Sequence, residues 1–310
     1  MVTRVIRRPF LLLLLFSFQF PVNAATCSCA GVPLLTSIDT SASEPGQLFI
    51  NFSTEDHQIS DLVSGSDDLS DRTNRDRSAL SQVISASYAL TDRWAVSALI
   101  SHIEHDRTIG ASFFSSSSAS GFGDSVILAR YTPLFITPFS RHELSLGLGV
   151  RIPTGKDDAK SNGITLSEDM HPSVGAVGKI LWTSYSYAFN QAATLQLNTS
   201  ANYTYNDEND RDYSFGDEFN FAFGISQSIG TKFGYSAALR YRSTRRDRRI
   251  GFQIPNTGGK WLDFVPAVQY AVTDSLTIGL NGRIPIARNL NDAVQFTTSY
   301  SYGLSATYGF

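Results

Sequence analysis

Cysteine is nearly absent from this 310-residue chain, with two, and histidine is scarce, with five. Cys27 and Cys29 have one residue between them, too close for an unstrained disulfide. A metal or redox role for this pair, lipid attachment after the poorly matching Ala24-Ala25-Thr26, and a tail motif without chemistry all stay open. The histidines fall in no catalytic constellation. Beyond the N-terminus no apolar run approaches the roughly 20 residues that a membrane-spanning helix needs. A formal net charge of −3 removes the basic excess that nucleic-acid binding requires.

What is present begins with Arg4, Arg7 and Arg8, the apolar stretch Phe10 to Phe16, then Pro21 and Val22-Asn23-Ala24-Ala25. This order predicts a secretory signal peptide over 1–24, cut after Ala24 or Ala25. Residues 25–46 then form a periplasmic tail carrying Cys27 and Cys29, and residues 47–310 form the body. No cofactor is expected.

Mean hydropathy is near zero, yet apolar residues recur with a period of two. Leu144, Leu146, Leu148, Val150 and Ile152 alternate with Ser145, Gly147, Gly149 and Arg151. Phe219, Phe221, Phe223 and Ile225 oppose Asn220, Gly224 and Ser226, and Phe233, Tyr235, Ala237, Leu239 and Tyr241 oppose Ser236, Arg240 and Arg242. Val174, Ala176, Ile180 and Trp182 predict a sixth strand with these residues on its apolar face. From Gln295 to Phe310, Phe296, Tyr300, Tyr302, Leu304, Ala306, Tyr308 and Phe310 share one parity. A strand whose one face is aromatic and aliphatic, and whose other face is polar, suits a wall between lipid and a lumen. Tyr308 and Phe310 match the terminal signal by which such proteins reach the barrel assembly machinery.

Counted along the chain, the alternating segments predict twelve strands, an even number as single-chain bacterial barrels require. Connection lengths alternate as well. Of the periplasmic set, Thr91–Arg93, Phe189–Gln191, Gly230–Lys232 and Thr273–Ser275 are tight and Thr132–His142 is longer, while Thr54–Arg77, His105–Gly123, Pro153–His171, Asn206–Gly216 and Ser243–Lys260 are long and polar. The expectation is an all-β, transmembrane, antiparallel up-and-down β-barrel in the bacterial outer membrane, with short periplasmic turns and long extracellular loops. A soluble sandwich would leave Arg130, Arg151, Arg240 and Arg242 facing water and would not explain the loop asymmetry.

At Gly147-Leu148-Gly149-Val150-Arg151-Ile152-Pro153-Thr154-Gly155-Lys156 the chain resembles the bacterial outer-membrane barrels labelled as transporters or meta-pathway phenol-degradation proteins, whose fifth strand commonly ends in Pro-Thr-Gly. Gly258-Gly259-Lys260-Trp261 leading to Pro266, and Pro285 followed by Asn289-Leu290-Asn291, agree with that resemblance. The family often has Gly where Asp292 stands. The resemblance implies a barrel with a transport role, and it does not imply phenol as the solute.

Arg130, Arg151, Arg240, Arg242 and Arg283 share the inward parity of their strands. An arginine facing lipid at the midplane costs about 2–4 kcal/mol, so these five are lumen-lining candidates, either pairing with acids or forming an anion-attracting constriction. Arg245, Arg246, Arg248 and Arg249 extend the positive run into an outer loop and are candidates for lipopolysaccharide phosphates. Asp207, Glu208, Asp210 and Asp212 are possible partners for that run across the mouth. Gly123-Asp124-Ser125 lacks the helix a lipase motif needs, and Gly155-Lys156 lacks the rest of a phosphate loop, so no enzyme is expected. The expected function is passive passage of small molecules, hydrophobic, aromatic or anionic. The alternative is a non-conducting structural or surface barrel, or a sleeve for a periplasmic redox partner. Lateral openings for hydrophobic solutes are expected at the weak fourth and sixth strands, near Gly175 and Gly178. Partners are outer-membrane lipid, lipopolysaccharide and an unidentified solute.

Overall fold

In the computed structural model, residues 25–26, 44–72, 74–110 and 115–310 are described. The predicted signal peptide, Cys27 and Cys29 lie outside them. The body is a closed antiparallel sheet of twelve strands. These are β1 (Leu48–Gln58), β2 (Arg75–Ala89), β3 (Trp94–Ile109), β4 in two pieces (Ser115–Phe122 and Ser125–Leu134), β5 (His142–Ile152) and β6 (Gly178–Ala188). They continue with β7 (Leu195–Asn206), β8 (Glu218–Ile229), β9 (Phe233–Thr244), β10 (Gly259–Ala271), β11 (Leu276–Leu290) and β12 (Tyr300–Gly309). Each strand pairs with its sequence neighbours, and β1 closes the ring on β12, Phe49 opposite Gly309.

Alternation decides the two faces. On β5, Leu148 is 66% exposed while its neighbour-but-two Ser145 is fully buried. Phe221, Phe223, Tyr235, Leu239, Ile278, Leu280, Leu304 and Tyr308 are likewise exposed on the outer face. Such a belt is unfavourable in water and satisfied in hydrocarbon, and closure leaves no unpaired sheet edge in lipid. The protein is an outer-membrane barrel.

Two elements depart from the alternation reading. On β6 it is Ile180 and Trp182 that face inward, 3% and 8% exposed, and Leu181 that faces lipid. Both parities of this strand carry apolar side chains, so its neighbours choose between them. Trp182 lies opposite Gly147 and Ile180 opposite Gly149 on β5. A Cβ at Gly147 would sit 3.1 Å from the Trp182 ring, so the bulky residues occupy space that the glycines leave inside. Val174 and Ala176 precede the strand instead of belonging to it. The second departure is the C-terminal segment. Gln295–Thr297 is a separate short strand, and Phe296 is 2% exposed inside the barrel instead of meeting lipid. Tyr300, Tyr302, Leu304, Tyr308 and Phe310 do face outward as the alternation requires.

Strands also run further than expected. β1 continues to Gln58, β2 starts at Arg75, β3 reaches Ile109 and β4 starts at Ser115. The wall therefore rises into segments that read as loops.

The break in β4 falls at Gly123–Asp124. β3 pairs with the first piece through His102–Ile109 and with the second through Trp94–Leu99. The Pro-Thr-Gly element closes this gap. The Thr154 hydroxyl accepts a hydrogen bond from the Ser125 N–H at 3.0 Å, and the Lys156 N–H donates to the Phe122 carbonyl at 2.9 Å. Gly155 packs so tightly there that a Cβ would lie 2.3 Å from the Phe122 oxygen. Gly155→Val is therefore expected to force backbone movement, at a cost of about 1–3 kcal/mol or more. It should lower the temperature at which the folded band is lost on a heat-modifiability gel; an unchanged temperature would contradict the clamp.

Candidate solute path

The lumen divides into an open inner part and a covered outer part. From the periplasmic turn Thr91–Arg93, beside which Arg130 lies opposite Ala95, a cavity of about 810 Å³ rises to Glu55, Arg240 and Arg283. Its lower wall is a polar mesh spanning strands. The Asn51 amide donates to Thr307 Oγ1 at 2.8 Å, the Ser186 hydroxyl to Asn198 Oδ1 at 3.0 Å, and the Asn198 amide to Ser226 Oγ at 2.7 Å. Polar side chains bonded across strands in this way tie neighbouring strands together along the bore.

All five predicted arginines point inward and are buried. Arg283 Nη2 stands 2.8 Å from Glu55 Oε1. Arg242 Nε stands 2.9 Å from Glu218 Oε2, with its guanidinium over the Trp261 ring. Arg151 reaches Asp124 Oδ2 at 3.3 Å and donates to Asn206 Oδ1 at 2.9 Å. Arg240 donates to Asn220 Oδ1 at 3.2 Å. Only Arg130, Arg240 and Arg283 line the cavity; Arg151 and Arg242 stand above it. Arg283 thus both pairs with a lumenal acid and lines the path, while Arg151 and Arg242 pair with acids above it.

One side of the lumen is apolar. Val83, Leu99, Val126, Leu128, Ile180 and Trp182 form a single buried cluster on β2, β3, β4 and β6. Val126 lies two residues from Asp124, so the cluster reaches the break in β4. Val83 and Trp182 also line the open cavity, which makes the strip continuous with it.

Above this level the chain folds back into the barrel. The hairpin Asp61–Ser64 with Asp67–Leu69 pairs with Gln295–Thr297, and Ala25–Thr26 adds parallel to Gln295–Phe296. Ile59, Ala79, Ile103 and Phe296 form the apolar contact beneath this small sheet, and Trp261 Nε1 donates to Thr297 Oγ1 at 2.9 Å. A second layer comes from the segment after β5. Arg77, 1% exposed on β2, reaches Asp169 Oδ2 at 2.5 Å and also donates to the Asp169 carbonyl. Arg211 joins Asp157 at 3.0 Å and Glu168 at 2.7 Å. The hydrogen bond from Arg211 to Glu168 leads the effects that raise the guanidinium pKa. Asp124 accepts from the Ser173 hydroxyl and from the Val174 N–H at 3.2 Å. His171 Nδ1 accepts the Ala159 N–H at 3.0 Å. Burial, then the nearby Arg211, hold this imidazole below its usual pKa, so it stays neutral and able to accept.

Arginines proposed for the outer loop take different places. Arg245 Nη1 stands 3.0 Å from Asp217 Oδ2, and Arg246 Nη2 2.6 Å from Asp292 Oδ1. Asp292 has φ of 64°, the left-handed region that glycine favours, and its carboxylate is used for this bond. Arg248 and Arg249 form a short strand against Tyr213–Ser214, so the basic and acidic loops meet through backbone pairing. Arg249 lies 3.7 Å from Glu168, and Asp207 lies 3.1 Å from Lys179. Among the described residues no group of three or more His, Cys, Asp or Glu is arranged to hold a metal.

The family profile described as "Putative MetA-pathway of phenol degradation" matches residues 102–291. The chain belongs to that family. The matched stretch of this phenol-degradation family member contains the break in β4, the Pro-Thr-Gly clamp and all five lumenal arginines. Among solved structures, an outer membrane channel from Pseudomonas putida F1 is similar, with a TM-score of 0.71 and 10% identity. That match covers 88% of this chain and 98% of the other. The NanC porin is a more distant likeness, with a TM-score of 0.46, 11% identity, and coverage of 83% and 98%. No curated protein matches the sequence.

Proposed function

We propose that this barrel is a channel for small hydrophobic molecules of aromatic size. The observation that carries the reading is the buried apolar strip from Val83 and Trp182 to Val126, which joins the inner cavity to the break in β4. A purely aqueous pore gains nothing from a dry strip along one wall, whereas a greasy solute needs one. The outer mouth is covered by two layers, so a solute partitioned into the outer leaflet would enter through the wall at Gly123–Asp124 and leave through the cavity. Of the two strands expected to open laterally, the fourth and the sixth, the fourth is the one favoured. The outer membrane channel from Pseudomonas putida F1 supports a transport role without naming a solute, and the family description refers to degradation of an aromatic compound, phenol.

The test is uptake of a radiolabelled monoaromatic and of a sugar of similar mass by cells with and without the protein. A faster rate for the aromatic alone is expected. Faster sugar uptake alone would indicate a hydrophilic pore, and no change in either would favour a non-conducting barrel.

A further inference from the structure

Charge on the outward-facing parity is divided between the two sides of the barrel, just above the lipid belt. On β6 Lys179 lies in register with Tyr205 and one outward step above Leu181, which is 57% exposed to lipid. Lys260 on β10 is outward in register with Ser243, and that row continues through Phe219 to Tyr203. Arg245 follows β9 beside the same row, sharing Asp217 with the Tyr203 hydroxyl. These three cations thus crown β6 to β10, a width of about 19 Å at one strand spacing each. Asp207 and Asp217 accompany two of them, but Lys179 and Arg245 remain 64% and 70% exposed, and exposed pairs exchange partners cheaply. The opposite side has the reverse character. The outward rows of β1, β2 and β3 carry Asp56, Asp76, Glu104 and Asp106 at their upper ends, and no lysine or arginine.

We propose that the protein docks lipopolysaccharide on one side only, with Lys179, Arg245 and Lys260 engaging its lipid-proximal phosphates. Height decides among anionic ligands: the cations stand one residue pair above the hydrocarbon-facing Leu181 and Phe221, where phosphorylated glucosamine meets acyl chains. Lysine supplies point charges and arginine a planar fork for such oxygens. The phenolic rings of Tyr203 and Tyr205 suit the same polar–apolar boundary. The carboxylates of β1 to β3 repel phosphates, so that side is left without tightly held glycolipid.

The experiment titrates the folded protein in micelles with lipopolysaccharide, with the same glycolipid after phosphatase treatment, and with phosphatidylglycerol, all in chelator. Binding is read by native mass spectrometry. Lipopolysaccharide should bind most tightly. The triple variant Lys179→Gln, Arg245→Gln, Lys260→Gln should bind it about tenfold more weakly, roughly twofold per exposed ionic contact. The pair Glu104→Gln, Asp106→Gln should bind it as well as the parent or better. Heat-modifiable migration verifies folding, and Lys260→Gln alone gives the smaller loss if the triple does not fold. Equal binding of the dephosphorylated glycolipid or of phosphatidylglycerol, an unaffected triple variant, or loss in the acidic-side pair would each overturn the proposal.

Discussion

Asp169→Ala is expected to open the outer end of the lumen, measured as a several-fold rise in single-channel conductance in planar bilayers. Arg77 is almost fully buried and depends on Asp169 for its close carboxylate at 2.5 Å and for a carbonyl acceptor. Removing one partner of a buried pair typically costs about 3–5 kcal/mol, because the remaining charge loses its compensation. Here that strain falls on a tether and not on the barrel wall. Asp169 belongs to the short turn Glu168–Met170, whose Met170 is fully buried. The variant should keep its strands, retaining its folded gel mobility, while residues around 156–176 become sensitive to protease. Unchanged conductance with a newly cleavable segment would mean that the inner sheet of Gln295–Thr297 seals the lumen by itself.

Trp182→Ala should have the second large effect, at the junction of cavity and apolar strip. Truncating a buried tryptophan costs about 3–5 kcal/mol in a closed core; beside an open cavity, water entering the new space offsets part of that. The indole lies across Gly147 and against Leu128, so its loss hollows the strip instead of repacking it. The aromatic solute's uptake advantage should fall toward that of the sugar, while conductance rises. Trp182→Phe should restore much of the discrimination, since it returns an apolar ring to the same notch. Retained discrimination in Trp182→Ala would remove the strip from the transport path.

Most of the wall was legible in the sequence because β5, β8 and β9 put large apolar residues on one parity and Ser, Asn, Gly or Arg on the other. β6 was not, since Ile180 and Trp182 compete with Leu181, Tyr185 and Tyr187, and the choice rests on two glycines in the neighbouring strand. Phe296 kept the two-residue beat of the last strand while belonging to a different sheet. Its partners, Asp61–Ser64, lie more than two hundred positions away, and no local pattern announces them. Inward orientation of the five arginines followed from parity, but their partners did not. Asp124 sits in a strand break and Glu55 near the top of β1. Arg77 was missed because its segment is rich in Asp and Arg and reads as loop, although Arg77, Ala79, Ser81 and Val83 already alternate as a strand. The Pro-Thr-Gly element drew notice as a family feature; only the geometry explains it, since Gly155 must approach the Phe122 carbonyl without a side chain.

The interrupted fourth strand has one more consequence. Elsewhere the joints of the cylinder are zipped by long ladders, two of them locally irregular at Tyr131–Leu134 and Leu262–Asp263, and movement at any of them would break many hydrogen bonds together. At Gly123–Asp124 the seam keeps one backbone bond to β3, from the Gly123 N–H to the Ser101 carbonyl, and otherwise rests on a few bonds with Thr154, Lys156, Ser173 and Val174, all on the same folded-in segment. Lifting that segment would leave the wall thinly held at one place, with the rest of the cylinder standing.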